Sequence, residues 1–458
     1  MVPALGAVSS AAMPTPCPRP FFPALGAFEE GCDTPRAFLE SCVEELVHWE
    51  STVGAFTHTD LEGARRAADA ATLRWKAGRP LSRIDGMPVG VKDNIDTDDM
   101  PTGNGSPLYD GYRPRFSAAS AQALREAGAV ILGKTVTTEF ASTQPRGTRN
   151  PWDLARTPGG SSSGSAAAVA VGMVAGALGT QVVGSIIRPA GFCGVYGFKP
   201  SFGGINRGGS LDFLGQSCTG SIAASLEDAW ILARAVAAEV GGDPGYPGLG
   251  GPLMPPAART PRRLGLLRTA GWSVASESAR AALEATAETL RRAGVEVLTP
   301  ETSASLAALE GAVAEALPET LHMLAWEWRW PLNAFVARDA EALSSSSRER
   351  AKAAREVTRE AYAFLLQRRR EARALFAKVM ADHDALIGLT APGAAPVGLE
   401  TTGNPICVVP GSYLGGPVVA LPLLQDAGLP LGLQVLGKTD EDGILFAHAS
   451  SIQGILQV

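Results

Sequence analysis

The chain has 458 residues, 45% of them apolar and 19% charged, so it is long enough to bury a sizeable core. Its formal net charge of −6 argues against non-specific binding to nucleic acid or to anionic membranes. The six cysteines form no CxxC pair or zinc pattern, and in a chain of this length they favour reduced thiols in a cytoplasmic protein over a disulfide framework.

The N-terminal 30 residues are rich in alanine and proline and lack the basic and unbroken apolar parts of a signal peptide. We therefore expect residues 1–30 to form a poorly ordered leader before a domain over 31–458. A second apolar stretch, Ala166–Val183, is uncharged but rich in glycine and alanine, which gain little from entering a membrane. It predicts a buried helix followed by a strand.

The first predicted elements alternate between helix and strand. Phe38–Lys76 predicts two helices. The apolar runs Pro88–Lys92 and Ala129–Leu132 predict buried strands, and the amphipathic pattern of Ser117–Gly128 predicts a helix between them. This strand–helix–strand order is typical of an α/β sheet.

A loop rich in glycine and serine, Gly159–Ser165, follows these elements. It leads into a predicted helix at Ser165–Ala175 and then a predicted strand at Thr180–Ser185, which ends at Ser185. Glu227–Val240 predicts a further helix. The many glycines and prolines of residues 241–261 indicate a linker or a long surface loop.

The second half of the chain predicts a helix-rich region at about 270–390 that interrupts the sheet, and strands in 391–458 that return to it. One large α/β domain with an insertion fits this pattern better than two domains, and its motif-bearing part is residues 86–240. The predicted elements of this half are the strand Leu264–Leu267, the helix Ser276–Ala293, the strand Val295–Leu298, the long helix Arg348–His383, and the strands Val418–Leu421 and Leu431–Leu436.

Lys92 is a candidate base. It ends the apolar run Pro88–Lys92, where we expect it to be buried. Burial disfavours the ammonium form of lysine and lowers its pKa from about 10.4, and a neutral lysine is a competent general base. The alternative is an ordinary ion pair with a nearby carboxylate such as Asp93.

Two serines lie in motifs that can carry chemistry. Ser161 lies in Gly159–Ser165, which is either a flexible linker or a loop whose glycines let the backbone approach a substrate. The loop lacks the lysine of a phosphate-binding P-loop. Ser185 follows Gly184 at the end of a predicted strand, where it is either presented to a cleft or part of a surface turn.

Two further groups of residues have alternative interpretations. Trp326, Trp328 and Trp330 either line an apolar substrate entrance or pack a helix against the core. A Ser–His–Asp site assembled in space stays an alternative, although no Gly-x-Ser-x-Gly motif accompanies the histidines. The histidines are His48, His58, His322, His383 and His448.

Together these motifs resemble the amidase signature family of serine hydrolases, from about Phe38 to the C-terminus. The resemblance is carried by Gly-Met-Pro-Val-Gly-Val-Lys-Asp-Asn at 86–94, Pro-Gly-Gly-Ser-Ser-Ser-Gly-Ser at 158–165, Gly-Phe-Lys-Pro at 197–200 and Gly-Leu-Pro-Leu-Gly-Leu-Gln at 428–434. It implies that family's fold, a single large domain with a mixed central β-sheet covered by helices on both faces.

The resemblance also implies a triad. Ser185 resembles the nucleophile and Lys92 the base, and the spacing of 24 residues selects Ser161 as the bridging serine, which follows a cis peptide in the family. No metal or cofactor is needed for this chemistry. The expected oxyanion hole consists of the backbone N–H groups of Val182, Val183, Gly184 and Ser185. Candidate substrate contacts are Gly159, Gly160, Gln181, Trp326 and Trp330.

The chain departs from the common family pattern beside Ser185. Gln181 stands in place of an aspartate, Val183 in place of a glycine, and the arginine, Arg188, follows Ser185 by three residues instead of two. We interpret these changes as coupled, because loss of the carboxylate removes the partner of the arginine. Some family members share this variant pattern, so it does not indicate loss of activity.

The expected function is hydrolysis of small, fairly apolar or aryl amides. Carbamates (urethanes) and esters are further substrates, since all pass through an acylated serine. The alternative is a glutamine-hydrolysing component of an amidotransferase complex, against which Gln181 and the shifted Arg188 count; a catalytically inactive binding protein is a third interpretation. We expect a small-molecule amide or carbamate as partner, neither nucleic acid nor a membrane, and a cytoplasmic location, and a homodimer stays open.

Overall fold

A mixed β-sheet runs through the protein, whose computed structural model describes residues 15–457. The eleven strands within these residues, numbered in chain order, are β1 (Phe56–Thr59), β2 (Pro88–Lys92), β3 (Val130–Thr135), β4 (Gly176–Gln181), β5 (Tyr196–Lys199), β6 (Cys218–Ala223), β7 (Arg263–Leu266), β8 (Glu296–Leu298), β9 (Ala385–Leu389), β10 (Val418–Asp426) and β11 (Leu429–Leu436).

The α-helices surround this sheet. They are α1 (Leu25–Glu30), α2 (Pro35–Val53), α3 (Leu61–Lys76), α4 (Ala119–Glu126), α5 (Ser163–Ala170), α6 (Ile187–Cys193), α7 (Leu226–Val240), α8 (Glu277–Arg292), α9 (Ala304–Val313), α10 (Ala316–Glu327), α11 (Arg329–Asp339), α12 (Ser345–Glu356), α13 (Arg359–Ala381), α14 (Val409–Leu414) and α15 (Asp442–Leu456). Among the described residues, no helix is both long and apolar enough to cross a membrane.

The strand order is β1-β3-β2-β4-β6-β5-β10-β11-β9-β7-β8. β3, β2 and β4 are parallel to one another, as are β9, β7 and β8, and the strands between these two groups pair antiparallel. The predicted α/β fold with a mixed sheet is therefore confirmed.

Two hydrophobic clusters cover the two faces of the sheet. In β10, Val419 belongs to one cluster and its neighbours Val418 and Ala420 belong to the other, because successive side chains of a strand point to opposite faces. The first cluster includes residues of α4, α7, α8 and α15, and the second includes residues of α2, α5, α9 and α13. Helices thus lie on both faces, as the resemblance implies.

The N-terminal leader differs from the expectation. Residues 1–14 lie outside the described residues, but residues 15–30 are packed, so poor order is wrong for them. The N–H groups of Phe21 and Phe22 donate to the buried carboxylate of Asp228, at 2.9 and 2.8 Å. Phe21 and Phe28 are buried and meet Phe38 edge to face.

The strand predicted to end at Ser185 also differs. β4 ends at Gln181, and Ser185 lies in a turn before α6. The preceding helix ends at Ala170 instead of Ala175. The continuous helix predicted over 348–383 is two helices, because Thr358 caps α13 by accepting a hydrogen bond from the backbone N–H of Ala361.

The helix-rich region is narrower than about 270–390. Helices α9 to α13 span 304–381, whereas β8 and β9, which lie within the predicted range, are strands of the sheet, β8 at its edge. The returning segment 391–458 adds α14 and the buried helix α15 to its two strands. The predicted linker over 241–261 contains no helix or strand.

Phe28→Ala tests whether the N-terminal segment is part of the core. Its ring is 2% exposed and packs against Phe21, Phe38 and Trp75, so we expect truncation to lower the free energy of unfolding by about 3–5 kcal/mol. The measurement is denaturant-induced unfolding. The matched control is Phe364→Ala, because Phe364 is 63% exposed; equal stability of the two variants contradicts the packing described.

Candidate active site

Three polar side chains meet where β2 and β4 lie side by side. Lys92 is the last residue of β2, and its Nζ donates to Thr180 of β4, at 2.8 Å to Oγ1 and 3.2 Å to the carbonyl oxygen. The third contact of Nζ is Ser161 Oγ, at 2.7 Å. Because β2 and β4 are parallel neighbours, their sequence-distant ends come together here.

Lys92 does not form the ion pair with Asp93 that was the alternative. Asp93 pairs instead with Lys134, at 3.5 Å, on the opposite side of β2. Lys92 is fully buried and makes no ion pair among the described residues. Burial lowers the pKa of Lys92 to about 7, although the carboxylate of Asp212 opposes the shift. The amine is therefore a base near neutral pH.

The loop 159–165 places one serine on Lys92 and directs the next two elsewhere. The Gly160–Ser161 peptide is cis, as the resemblance implies. Ser162 Oγ donates to the carbonyl oxygen of Thr180 at 3.4 Å, and Ser163 Oγ donates to that of Val136 at 3.3 Å. Ser161 is thus the serine of this run that reaches the lysine, and the loop is a built structure instead of a flexible linker.

Ser185 lies in the turn between β4 and α6 and lines the same cavity as Ser161. No hydrogen bond joins the two hydroxyl oxygens in the described structure. The turn has no room for a side chain before Ser185, because a Cβ on Gly184 lies 2.4 Å from Val408 Cγ2. The backbone N–H groups of residues 182–185 donate to no other described group, which leaves them free for a ligand.

Gln181, which we predicted as a substrate contact, organises this turn and is not among the residues that line the cavity. Its side-chain Oε1 accepts from the N–H groups of Ile186 and Ile187, at 2.8 and 3.0 Å. Its Nε2 donates to Ser412 Oγ at 3.1 Å. A glutamine thus supplies, without charge, the acceptor that bends the chain after β4.

Arg188 is a buried cation without a carboxylate partner among the described residues. Its Nη2 donates to the carbonyl oxygen of Gly160 at 2.6 Å, and its Nε donates to that of Thr402 at 2.8 Å. Nη1 has no hydrogen-bond partner in the described structure. Burial lowers the pKa of Arg188 to about 10, so the side chain stays charged at neutral pH and lines the cavity beside the turn.

The cavity that holds both serines has a volume of about 680 Å³. Much of its wall is apolar, with Phe140, Leu214, Leu324 and Trp328 among the lining residues. Four charged side chains besides Arg188 also line it, namely Asp212, Glu349, Arg350 and Glu400. Sequence reasoning missed these four, because none lies in a recognisable motif. Of the five histidines, all within the described residues, none lines the cavity.

Four predicted substrate contacts lie elsewhere. Gly159 and Gly160 do not line the cavity: Gly159 packs against Pro189, and the carbonyl of Gly160 faces Arg188. Trp326 and Trp330 line a separate surface pocket with Phe213 and Tyr362. Trp328, which lies on the other side of the helix turn, is the tryptophan of this cluster that faces the cavity.

The mixed sheet and the contact between Lys92 and Ser161 define an α/β protein with a candidate active site built from serine and lysine. The chain belongs to the amidase (amidase signature) family, because the family model described as Amidase matches residues 37–446. In the described residues, no three histidine, cysteine, aspartate or glutamate side chains cluster as metal ligands.

Similar proteins cover nearly the whole chain. One glutamyl-tRNA(Gln) amidotransferase subunit, from Chloroflexus aggregans, is 32% identical over 471 residues, which cover 91% of this chain and 92% of that protein. A solved vestigial protein complex related to an s-triazine catabolic enzyme has 27% identity and a TM-score of 0.83, with 95% and 98% of the chains covered. The peptide amidase of Stenotrophomonas maltophilia has 26% identity and a TM-score of 0.78, with 96% and 98% covered.

The pH dependence of Ser185 labelling tests the role of Lys92. A fluorophosphonate reacts with a serine whose proton has been accepted by a base. Below about pH 7 Lys92 is protonated and accepts no proton, so we expect the labelling rate to rise through about pH 7 and to level off above it. Lys92→Ala should remove this rise. A labelling rate that rises instead near the ordinary lysine pKa of about 10.4 contradicts the prediction.

Proposed function

We propose that the protein hydrolyses C–N bonds of amides through an acyl-enzyme on Ser185. The 2.7 Å hydrogen bond between Lys92 Nζ and Ser161 Oγ, beside Ser185 in one cavity, carries the proposal. It supports a relay in which a neutral lysine activates one serine through another. The chain belongs to the amidase family, which also supports cleavage of an amide C–N bond.

The proposed reaction begins with two coupled proton transfers. Ser161 gives its proton to Lys92 and accepts that of Ser185, whose Oγ attacks the amide carbonyl carbon. The relay then returns the proton to the leaving nitrogen, the C–N bond breaks, and the acyl group stays on Ser185 as an ester. Water gives a proton to the same relay, hydrolyses the ester and regenerates Ser185.

The oxyanion of the tetrahedral intermediate is assigned to the turn after β4. The backbone N–H groups of Val182, Val183, Gly184 and Ser185 are candidate donors, and their lack of other described partners supports this role. The uncharged Gln181 fixes the turn through Ile186 and Ile187. The donors are therefore held in place before the substrate arrives.

The substrate class has two candidates. Small aryl or alkyl amides fit the apolar wall around Phe140, Leu214 and Trp328, and carbamates and esters of similar size fit the same chemistry. The second candidate is glutamine, hydrolysed by this chain as one component of an amidotransferase complex. The curated relatives, which are glutamyl-tRNA(Gln) amidotransferase subunits with 31–32% identity, support this candidate more directly.

Two observations remove the arguments against glutamine. Gln181 stabilises the turn, so its replacement of an aspartate does not by itself alter a substrate contact. Arg188 lines the cavity with an unpartnered Nη1 in the described structure. A free, buried guanidinium N–H favours a substrate that presents an acceptor oxygen, such as the carboxylate of glutamine.

Ser185→Ala should abolish amide hydrolysis, by at least about 10³-fold, because no acyl group can be attached to alanine. Release of ammonia or amine measures the rate. Ser163→Ala is the matched control, since that hydroxyl donates to the carbonyl of Val136 and does not line the cavity. If a folded Ser185→Ala variant still hydrolyses the amide, the assignment of Ser185 as the nucleophile is wrong.

A substrate panel separates the two candidates. We expect the purified chain to hydrolyse at least one of glutamine, an anilide, an alkyl amide, a carbamate and a p-nitrophenyl ester. Preference for glutamine, with kcat/KM at least about tenfold above the anilide, supports the amidotransferase candidate. The reverse preference supports a free-standing aryl or alkyl amidase. Hydrolysis of none of the five contradicts the proposed function of the isolated chain.

A further inference from the structure

Helix α12 forms the outer wall of the catalytic cavity, to which it contributes Ser346, Glu349, Arg350 and Ala353. Its buried side chains are small: Ser347, Ala351 and Ala354. In contrast, α7 buries ten residues, which include Trp230 and two leucines. Little apolar area therefore holds α12 in place, since the hydrophobic contribution scales with the area removed from water.

Polar contacts hold both ends of α12. At its C-terminal end, Arg329 of α11 donates to the carbonyl oxygens of Ala354, at 2.9 Å, and Val357. At its N-terminal end, beside the cavity, the attachment is the buried carboxylate of Glu139. Ser347 Oγ donates to its Oε2 at 2.5 Å, and Ser344 donates to the same oxygen through its hydroxyl and, at 3.2 Å, through its backbone N–H. Ser344 is also the N-cap of α12. The first turn of the helix is thus tied to one charged acceptor.

Glu139 lies immediately before the segment that forms the inner wall of the cavity. That segment is Phe140–Gln144, all of which line the cavity. Its other oxygen, Oε1, accepts from Arg146 Nη2 at 3.0 Å and from Ser106 Oγ at 3.3 Å. The carboxylate is therefore fixed and charge-compensated from the inner side while it holds α12 on the outer side.

Two further side-chain hydrogen bonds join α12 to the inner wall. Thr143 Oγ1 and Ser346 Oγ lie 2.6 Å apart, and Arg350 donates to Ser142 Oγ. The neighbouring helix α11 is attached differently, because Phe335 stacks on Phe140 with ring centroids 4.5 Å apart. Residues 139 and 140 thus hold two helices, one through a carboxylate and the other through an aromatic ring.

We propose that Glu139 is a positioning residue that docks α12 onto the catalytic cavity and thereby determines how tightly large amides bind. The inference rests on the proposed amide hydrolysis at Ser185. A charged acceptor makes stronger hydrogen bonds than a neutral one, so loss of the charge weakens all of its contacts with α12 together. Substrates that reach α12 lose contacts when it undocks, whereas the smallest amides meet the serines and the inner wall alone.

The test compares Glu139→Gln and the double variant Ser344→Ala/Ser347→Ala with the wild-type protein. Ser345→Ala is the matched control, because Ser345 lies in the same run of serines, is exposed and makes no side-chain hydrogen bond to a described group. The two substrates are N-octanoyl-p-nitroaniline, which is large on both sides of the amide, and acetamide. A second measurement follows hydrogen–deuterium exchange in peptides that cover α12 and α13.

For both test variants we expect KM for N-octanoyl-p-nitroaniline to rise about tenfold with kcat within about threefold, and kcat/KM for acetamide to stay within about twofold. Exchange should become faster in α12 and stay unchanged in α13. The Ser345→Ala control should match the wild type in both measurements. A loss of fold alone lowers the active fraction for both substrates equally and leaves KM unchanged.

Two results overturn the proposal. One is unchanged exchange of α12 in both test variants, and the other is an equal decrease of kcat/KM for both amides. If the wild-type protein hydrolyses neither amide, the claim about large amides fails while glutamine hydrolysis at Ser185 still stands, and the exchange measurement decides whether Glu139 docks α12. Unchanged exchange then refutes the docking as well.

Discussion

The burial of Lys92 without an ion-pair partner is the constraint on which the candidate site depends. Three lysines are fully buried, and they differ in the groups that they contact. Lys134 has the carboxylate of Asp93 at 3.5 Å, whereas Lys199 donates to the carbonyl of Pro200 and forms no ion pair among the described residues. Burial lowers the pKa of both Lys92 and Lys199, and a carboxylate further away, Asp212 or Asp442, opposes the shift. Lys92 is held by the hydroxyls of Ser161 and Thr180 and by a carbonyl. Because burial of an unpaired charge is costly, these neutral partners favour the free amine.

The same preference for neutral partners extends to the neighbouring turn. Arg188 is held by the oxygens of Gly160 and Thr402, and Gln181 bends the chain with an amide where a carboxylate is common. A carboxylate in direct contact with Lys92 or Arg188 would stabilise its charge and satisfy its donors. Because no carboxylate among the described residues contacts either side chain, the pKa of Lys92 is lowered to about 7 and Nη1 of Arg188 has no described hydrogen-bond partner. The uncharged turn at Gln181 and the two basic side chains without a contacting carboxylate, Lys92 and Arg188, thus form one electrostatic arrangement.

The sequence predicts the parts of the site that depend on local pattern. The apolar run that ends at Lys92 predicted the bounds of β2 as the structure has them. The choice of Ser161 came from the family resemblance, through its spacing to Ser185. The end of β4 was missed because Gln181, Val182 and Val183 continue a strand-like pattern, whereas the side chain of Gln181 bonds forward and ends the strand. The sequence also did not predict contacts between residues far apart in the chain, such as the hydrogen bond from the N–H of Phe21 to the carboxylate of Asp228. The helical period puts Trp326 and Trp330 on one face and Trp328 on another, but only the packing of α10 and α11 decides which face meets the cavity.

The distribution of the seven lysines has a practical consequence. Lys92, Lys134 and Lys199 are fully buried, so the amines at the surface are those of Lys76, Lys352, Lys378 and Lys438. Among the side chains, reagents that acylate primary amines, and supports activated for amine coupling, therefore meet these four lysines. The remaining surface cations are guanidinium groups, which such reagents leave unmodified. The protein can thus be tethered or dye-labelled through its amines while the one amine at its reactive centre stays out of reach.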